Sequence, residues 1–171
     1  MAGATITVSL AGDDLGARFG ALAGRLSDTT PLMRAIGAGM RDAALDRFER
    51  GRDPDGRPWP GWSAAYAAVT KSSGLLRNAG MRGGLMGSLT FAATRTTMQL
   101  GSNKVYAAIH QFGGTIVPRR ARALVFRLGR RVVFAQKVTI PARPYLGFGP
   151  KEREVVGDVL EAALARALRG A

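Results

Sequence analysis

From position 56 to position 151 the chain carries no aspartate or glutamate, while the same 96 residues hold fifteen lysines and arginines. All 12 acids lie in two outer stretches, 13–55 and 152–161, so the middle bears +15 and the two ends together −2. Such a segment cannot neutralise itself with internal salt bridges. Its self-repulsion has to be relieved by solvent and counter-ions, by the outer segments, or by an acidic partner. A partner is the expectation. Arginines outnumber lysines 21 to 4, and guanidinium offers a planar, two-pronged grip on carboxylate or phosphate that an ammonium lacks. A GC-rich genome explains arginine over lysine equally well, but codon bias does not remove acids.

The remaining composition is that of an ordinary folded domain. With 171 residues, 46% of them hydrophobic, and a mean hydropathy of +0.01, a single domain spanning 1–171 with a real core is expected. No apolar run approaches the roughly 20 residues that span a bilayer, and the first ten residues alternate polar and apolar rather than forming a leader. Neither a membrane partner nor a signal peptide is expected. There is no cysteine and only one histidine, which leaves disulfides, zinc and haem without ligands. No cofactor is implied.

Hydrophobic periodicity predicts an α+β fold: an N-terminal strand and helices, an antiparallel sheet with a projecting hairpin, and a C-terminal helix. Residues 5–10 alternate as a strand. Leu15, Phe19, Leu22 and Leu26 form the stripe of a first helix, with Asp13 and Asp14 at its start. A second helix opens with Thr30 as N-cap and Pro31 at the first helical position. Its apolar face is Leu32 or Met33, Ile36, Met40, Ala44 or Leu45, and Phe48, and it ends near Gly51. Residues 51–62 are a series of turns, and 63–70 a short helix. The glycine-rich 74–87 reads as a flexible connection or a helical turn. Strands are expected at 88–94 and 96–101, and a short helix or tight turn at 104–112. Residues 124–128 and 131–136 flank Gly129-Arg130 as a hairpin, within a flexible or projecting region 113–137. Val138 to Ile140 either continue that hairpin or pair separately. Pro150 opens the last helix, striped by Val156, Leu160, Leu164 and Leu168 and stopped by Gly170; Glu152 and Glu154 in its first turn suit the helix dipole.

Catalytic readings are weak. His110 has no acid near it in sequence to orient its ring, so its ring nitrogens are expected to satisfy backbone groups beside the Gly113-Gly114 turn. No nucleotide-binding glycine motif follows a strand, and the acids at 42–55 and 152–161 fall on helix periodicity as solvated faces. An enzyme is not expected. Trp59 and Trp62 either anchor their Pro-rich segment to the domain or insert into a neighbour. Arg119, Arg120, Arg122, Arg127, Arg130 and Arg131 straddle the hairpin as a candidate basic interface. Only Phe126 and Phe134 are placed there for base stacking, which makes nucleic-acid binding the second reading.

Several segments occur in a fixed order: the helix ending in Phe48, Pro54-Asp55-Gly56-Arg57-Pro58-Trp59, Leu75-Leu76 with Ala79-Gly80, Leu85 and Ser88-Leu89, and Gly101-Ser102. Tyr106-Ala107 with His110-Gln111-Phe112-Gly113-Gly114 follows, then Pro141-Ala142-Arg143-Pro144-Tyr145-Leu146-Gly147. From about residue 30 to the C-terminus this set resembles the phage virion-morphogenesis (tail-completion) proteins of Mu-like phages and prophages. One departure is visible where Thr-Gly-x-Leu is expected: the chain has Ala79-Gly80 and then Met81 to Gly84 before Leu85.

The resemblance implies a non-enzymatic structural subunit of the virion, assembled in the bacterial cytoplasm. It would form a ring, commonly of six copies, at the head–tail junction, completing or terminating the tail and joining it to the DNA-filled capsid. The partners implied are further copies of the chain, adjacent neck, connector or tail-tube proteins, and non-specific contact with packaged DNA. His110 to Gly114 and Arg143-Pro144 would be structural, with Arg143 held in an extended, proline-flanked context and pairing with a backbone carbonyl or acid near the His110 turn.

Overall fold

The computed structural model describes residues 3–9, 17, 20, 24, 28–72, 74–77 and 83–169. The expected stripe Leu15, Phe19, Leu22 and Leu26 lies outside the described residues, as do Asp13, Asp14, Ala79, Gly80 and Gly170. In chain order the elements are β1 (Ala4–Ser9), α1 (Thr30–Arg50), α2 (Ala64–Ala67), β2 (Leu89–Ala93), β3 (Thr97–Ser102), α3 (Ala107–Phe112), β4 (Gly114–Ile116), β5 (Leu124–Leu128), β6 (Arg131–Ala135), β7 (Val138–Ile140) and α4 (Pro150–Arg169). The fold is α+β, with a strand first and a helix last.

Period-two alternation sets the main sheet, antiparallel in the order β1-β3-β2. Its register aligns Ile6, Leu100 and Phe91 across the three strands, and likewise Ala4, Ser102 and Leu89. These share one face, because side chains of directly paired residues point the same way. Leu89, Met98 and Leu100 are buried there. The other face carries Thr5, Thr90 and Gln99, all exposed.

Helix α1 lies on the apolar face. Met33, Ile36, Met40, Ala44 and Phe48 fall along one stripe and are buried; removing each of the larger ones from water is worth about 1.5–3 kcal/mol. The helix ends at Gly51, in the left-handed conformation (φ 63°) with its N–H on the Arg47 carbonyl, a C-cap that glycine reaches without steric cost. Its start differs from expectation by one residue. Thr29, not Thr30, is the N-cap and makes no side-chain cap bond. The Thr29 hydroxyl instead donates to the Arg95 carbonyl at the β2–β3 turn, and Asp28 Oδ1 accepts the Thr30 N–H at 2.9 Å. That bond, with Arg95 and Arg34 nearby, holds the Asp28 carboxyl below its usual range.

Helix α4 packs antiparallel along α1, with Val155 against Gly39 and Glu152 against Arg47. An open groove of about 520 Å³ between Leu32, Ala35, Val159 and Ala163 marks the other end of this pair. Two small two-stranded sheets complete the fold. The first, β4 with β7, shows that Val138 to Ile140 pair separately from the hairpin, through the registers Gly114↔Ile140 and Ile116↔Val138. The second is the hairpin β5–β6, closed by Gly129-Arg130 with Leu128 opposite Arg131. Within 74–87, Leu85 and Met86 are buried in the core, and Leu75 and Leu76 pack against it.

Phe48 is where the layers meet: its ring lies 5.6 Å from that of Trp59 and 5.3 Å from that of Tyr145. Phe48→Ala is expected to destabilise the protein by about 3–5 kcal/mol, read as a lower urea midpoint with an unchanged slope.

Candidate assembly interface

Residues 141–149 cross the core as an extended strap bounded by Pro141 and Pro150, where proline stiffens the backbone and removes donors. Tyr145 and Leu146 are buried, so the strap's peptide groups need partners that no strand supplies. Side chains supply them. Gln111 Oε1 accepts the N–H groups of Tyr145 and Leu146, both at 3.0 Å, and its Nε2 donates to the Leu146 carbonyl at 2.8 Å. Trp59 Nε1 donates to the Pro144 carbonyl at 3.0 Å, and Arg47 Nη1 to that of Tyr145 at 3.1 Å. The Arg143 N–H reaches the His110 carbonyl at 2.8 Å. Gly113 lets the strap approach: with φ 69°, a Cβ there would stand 2.7 Å from the Ala142 nitrogen.

Arg143 is buried, and its guanidinium donates to the carbonyls of Pro60 (2.8 Å) and Gly61 (2.7 Å). A backbone carbonyl is therefore its partner, but in the Pro-rich segment rather than at the His110 turn, which takes the Arg143 main chain instead. Burial pushes the guanidinium pKa down. Of the two readings for the tryptophans, Trp59 takes the anchoring one, being 5% exposed with its N–H on the strap. Trp62 is half-buried and stands edge-on to Tyr66 at 6.0 Å.

The acids at 152–161 are not all solvated. Glu152 is 0% exposed, ion-paired with Arg47 and accepting the Gly149 N–H at 2.9 Å. Desolvation lowers the Arg47 pKa while the neighbouring carboxylate raises it, and burial is the larger effect. The available signal was Arg47 itself, three residues beyond Ala44 on the buried stripe, where an unpaired cation is not tolerated.

Of the two His110 ring nitrogens expected to satisfy the backbone, Nδ1 departs from that expectation, being buried without a hydrogen-bond partner among the described residues. Among those residues no carboxylate orients the ring through Nδ1. The ring packs edge-on to Tyr106 at 5.9 Å. Burial, helped by Arg143, pushes its pKa down. Phe112 in the same motif is exposed.

The hairpin arginines are gathered differently. Arg119, Arg120 and Arg122 precede β5, Arg127 lies on it, and Arg130 and Arg131 form its turn and exit; all six are exposed. None forms an ion pair with another described residue. Among the described residues the hairpin hydrogen-bonds to no other strand, and its turn rests on Val69, which a Cβ on Gly129 would approach to 3.1 Å.

The strap, the Gln111 clasp and the Trp59 anchor join the motif segments that the sequence presents far apart. The chain belongs to the phage virion morphogenesis family, whose profile matches residues 12–165. Its relatives include the "Putative capsid assembly protein G" of Escherichia phage Mu, 29% identical over 151 residues, covering 85% of this chain and 86% of that protein. The "Mu-like prophage FluMu G protein 2" of Haemophilus influenzae is 33% identical over 140 residues, covering 82% and 79%. No solved structure matches the chain.

Two expected outcomes follow from this geometry. Gln111→Ala strands three buried peptide groups and should destabilise by about 2–4 kcal/mol, measured by urea denaturation. Gln111→Glu keeps the acceptor for the two N–H groups but sets a second acceptor against the Leu146 carbonyl, so it should recover part of the loss only in acid, where the protonated carboxyl can donate. His110 binds a proton less readily in the fold than its ordinary pKa of 6.5 implies. The unfolded chain therefore takes up more protons in the window just below that value. The histidine's contribution is complete above pH 6.5 and is lost as pH falls through the lower folded value. Melting temperature should decline over that interval, and His110→Gln should flatten the decline.

Proposed function

We propose that the chain is a structural virion protein of the head–tail junction, forming a ring that completes or terminates the tail and joins it to the DNA-filled capsid. Family membership supports a role in virion morphogenesis, and the phage Mu relative is named for capsid assembly. The observation that carries the finer reading is the exposed hairpin, whose six arginines have no carboxylate partner among the described residues. A ring of six copies would carry six times the +13 of one chain. Charge on that scale hinders assembly unless complementary surfaces meet it. A bore lined by all of it would also retard passing DNA, so protein neighbours account for the arginines better than the channel does.

The arginine cluster also supports a second reading, a nucleic-acid-binding protein. An electrophoretic shift at physiological salt separates the two readings: tight or sequence-specific binding by the isolated chain favours nucleic acid, whereas weak, salt-labile binding is expected of any chain this basic and removes the support for that reading. The direct test is electron microscopy of particles that lack this product. Filled heads separate from finished-length tails are expected; joined, complete particles would overturn the assignment.

A further inference from the structure

The two faces of the hairpin are not equivalent. Register puts Leu124, Phe126 and Leu128 on one face with Ala135, Val133 and Arg131, and Val125 and Arg127 on the other with Phe134 and Val132. On the first face Leu124, Leu128, Val133 and Ala135 are half-buried. The hairpin turn there meets residues 66–72 across an open cleft of about 360 Å³. On the second face Val125 is 60% exposed, Val132 51% and Phe134 72%. An apolar patch with Arg127 beside it on the same face and Arg130 at the adjoining turn is therefore left to solvent, and an apolar centre with a charged rim is the anatomy of a protein contact.

We propose that this outward face docks on a different virion protein, one presenting an apolar patch rimmed by carboxylates, and not on a second copy of this chain; the inference rests on the head–tail reading above. A second copy has little to offer. Glu152 is buried against Arg47, Asp46 pairs with Arg50 at 2.8 Å, and Glu154 with Lys151 at 2.9 Å. Asp42 and Asp55 stand 3.9 and 3.6 Å from Arg41 and Arg57. Asp53 Oδ1 accepts the N–H groups of Asp55 and Arg57, and Asp28 Oδ1 accepts that of Thr30. Glu161 makes an interaction of its own, so among the described carboxylates Glu49 and Asp158 remain, on different helices.

Duplex DNA would satisfy the arginines but would bury Val125, Val132 and Phe134 against a polar, charged backbone. Phe126 and Phe134 lie on opposite faces of the ribbon, so they provide no common stacking platform for single strands. An acidic protein with an apolar centre answers both the charge and the valines.

The test uses heads and tails purified separately from phage lacking this product, incubated with the full-length chain and then pelleted. Wild-type protein is expected to co-sediment with heads or tails, to do so after nuclease treatment, and to restore joined particles. Val132→Ser with Phe134→Ser, and separately Arg127→Glu with Arg130→Glu, should reduce co-sedimentation about tenfold or more. The wild-type melting temperature and sedimentation coefficient should be kept. Where the serine pair lowers melting, Arg127→Glu alone, an exposed side chain, decides for the same face. Variants that pellet and join particles like wild type would overturn the docking inference while leaving the head–tail reading intact. Variants that change self-association would assign the face to contacts between copies, and nuclease-sensitive pelleting would assign it to DNA. Wild-type protein that neither pellets nor restores joining would sink the head–tail reading, and this inference with it.

Discussion

A buried stretch of backbone outside any sheet is the constraint around which this molecule is organised. Arg143, Tyr145, Leu146 and Gly149 of the strap are buried, and each unpaired peptide group there would cost about 1–3 kcal/mol. The chain meets them one by one: the His110 carbonyl takes the Arg143 N–H, Gln111 serves Tyr145 and Leu146, Trp59 serves Pro144 and Glu152 serves Gly149. Arg47 serves Tyr145 and pairs with Glu152, so the strap, α1 and α4 are closed by one polar network. Such a network is costly when incomplete and specifies a single arrangement when complete.

Much of the fold was legible in the sequence where periodicity is strong. The stripe from Met33 to Phe48, the hairpin around Gly129-Arg130, and the final helix after Pro150 all stand where patterning put them. What escaped depends on partners distant in the chain. Gly114–Ile116 has too few residues to show alternation, and becomes a strand only because Val138–Ile140 lies beside it. Thr30 looked like a cap because Thr-Pro commonly opens helices, but Thr29 is drawn to the Arg95 carbonyl and Asp28 takes over the bond to Thr30. Glu152 looked like a dipole-matching surface acid. Its burial follows from Arg47, 105 positions earlier; local pattern marks Arg47 as a cation on a buried stripe but does not say which carboxylate answers it.

The candidate site divides in the same way. That Trp59, Gln111 and Arg143 belong to motifs was readable; that all three converge on one strap was not, since convergence is a property of the tertiary fold. The hairpin arginines were readable as a cluster, because the missing carboxylates are a feature of the sequence itself. Four of the described acids pair with bases close in sequence, Arg57 and Lys151 of the middle segment among them, while the six hairpin arginines stay exposed with no ionic partner among the described residues.

The hairpin's hydrogen-bonded isolation from both other sheets has an evolutionary corollary. A substitution, or a paired lengthening of its two strands, shifts no register elsewhere and disturbs no peptide group of the strap. Lineages meeting different neighbours can therefore rewrite this ribbon while the polar network of the strap stays under purifying selection, so drift should run faster in the hairpin than in the strap.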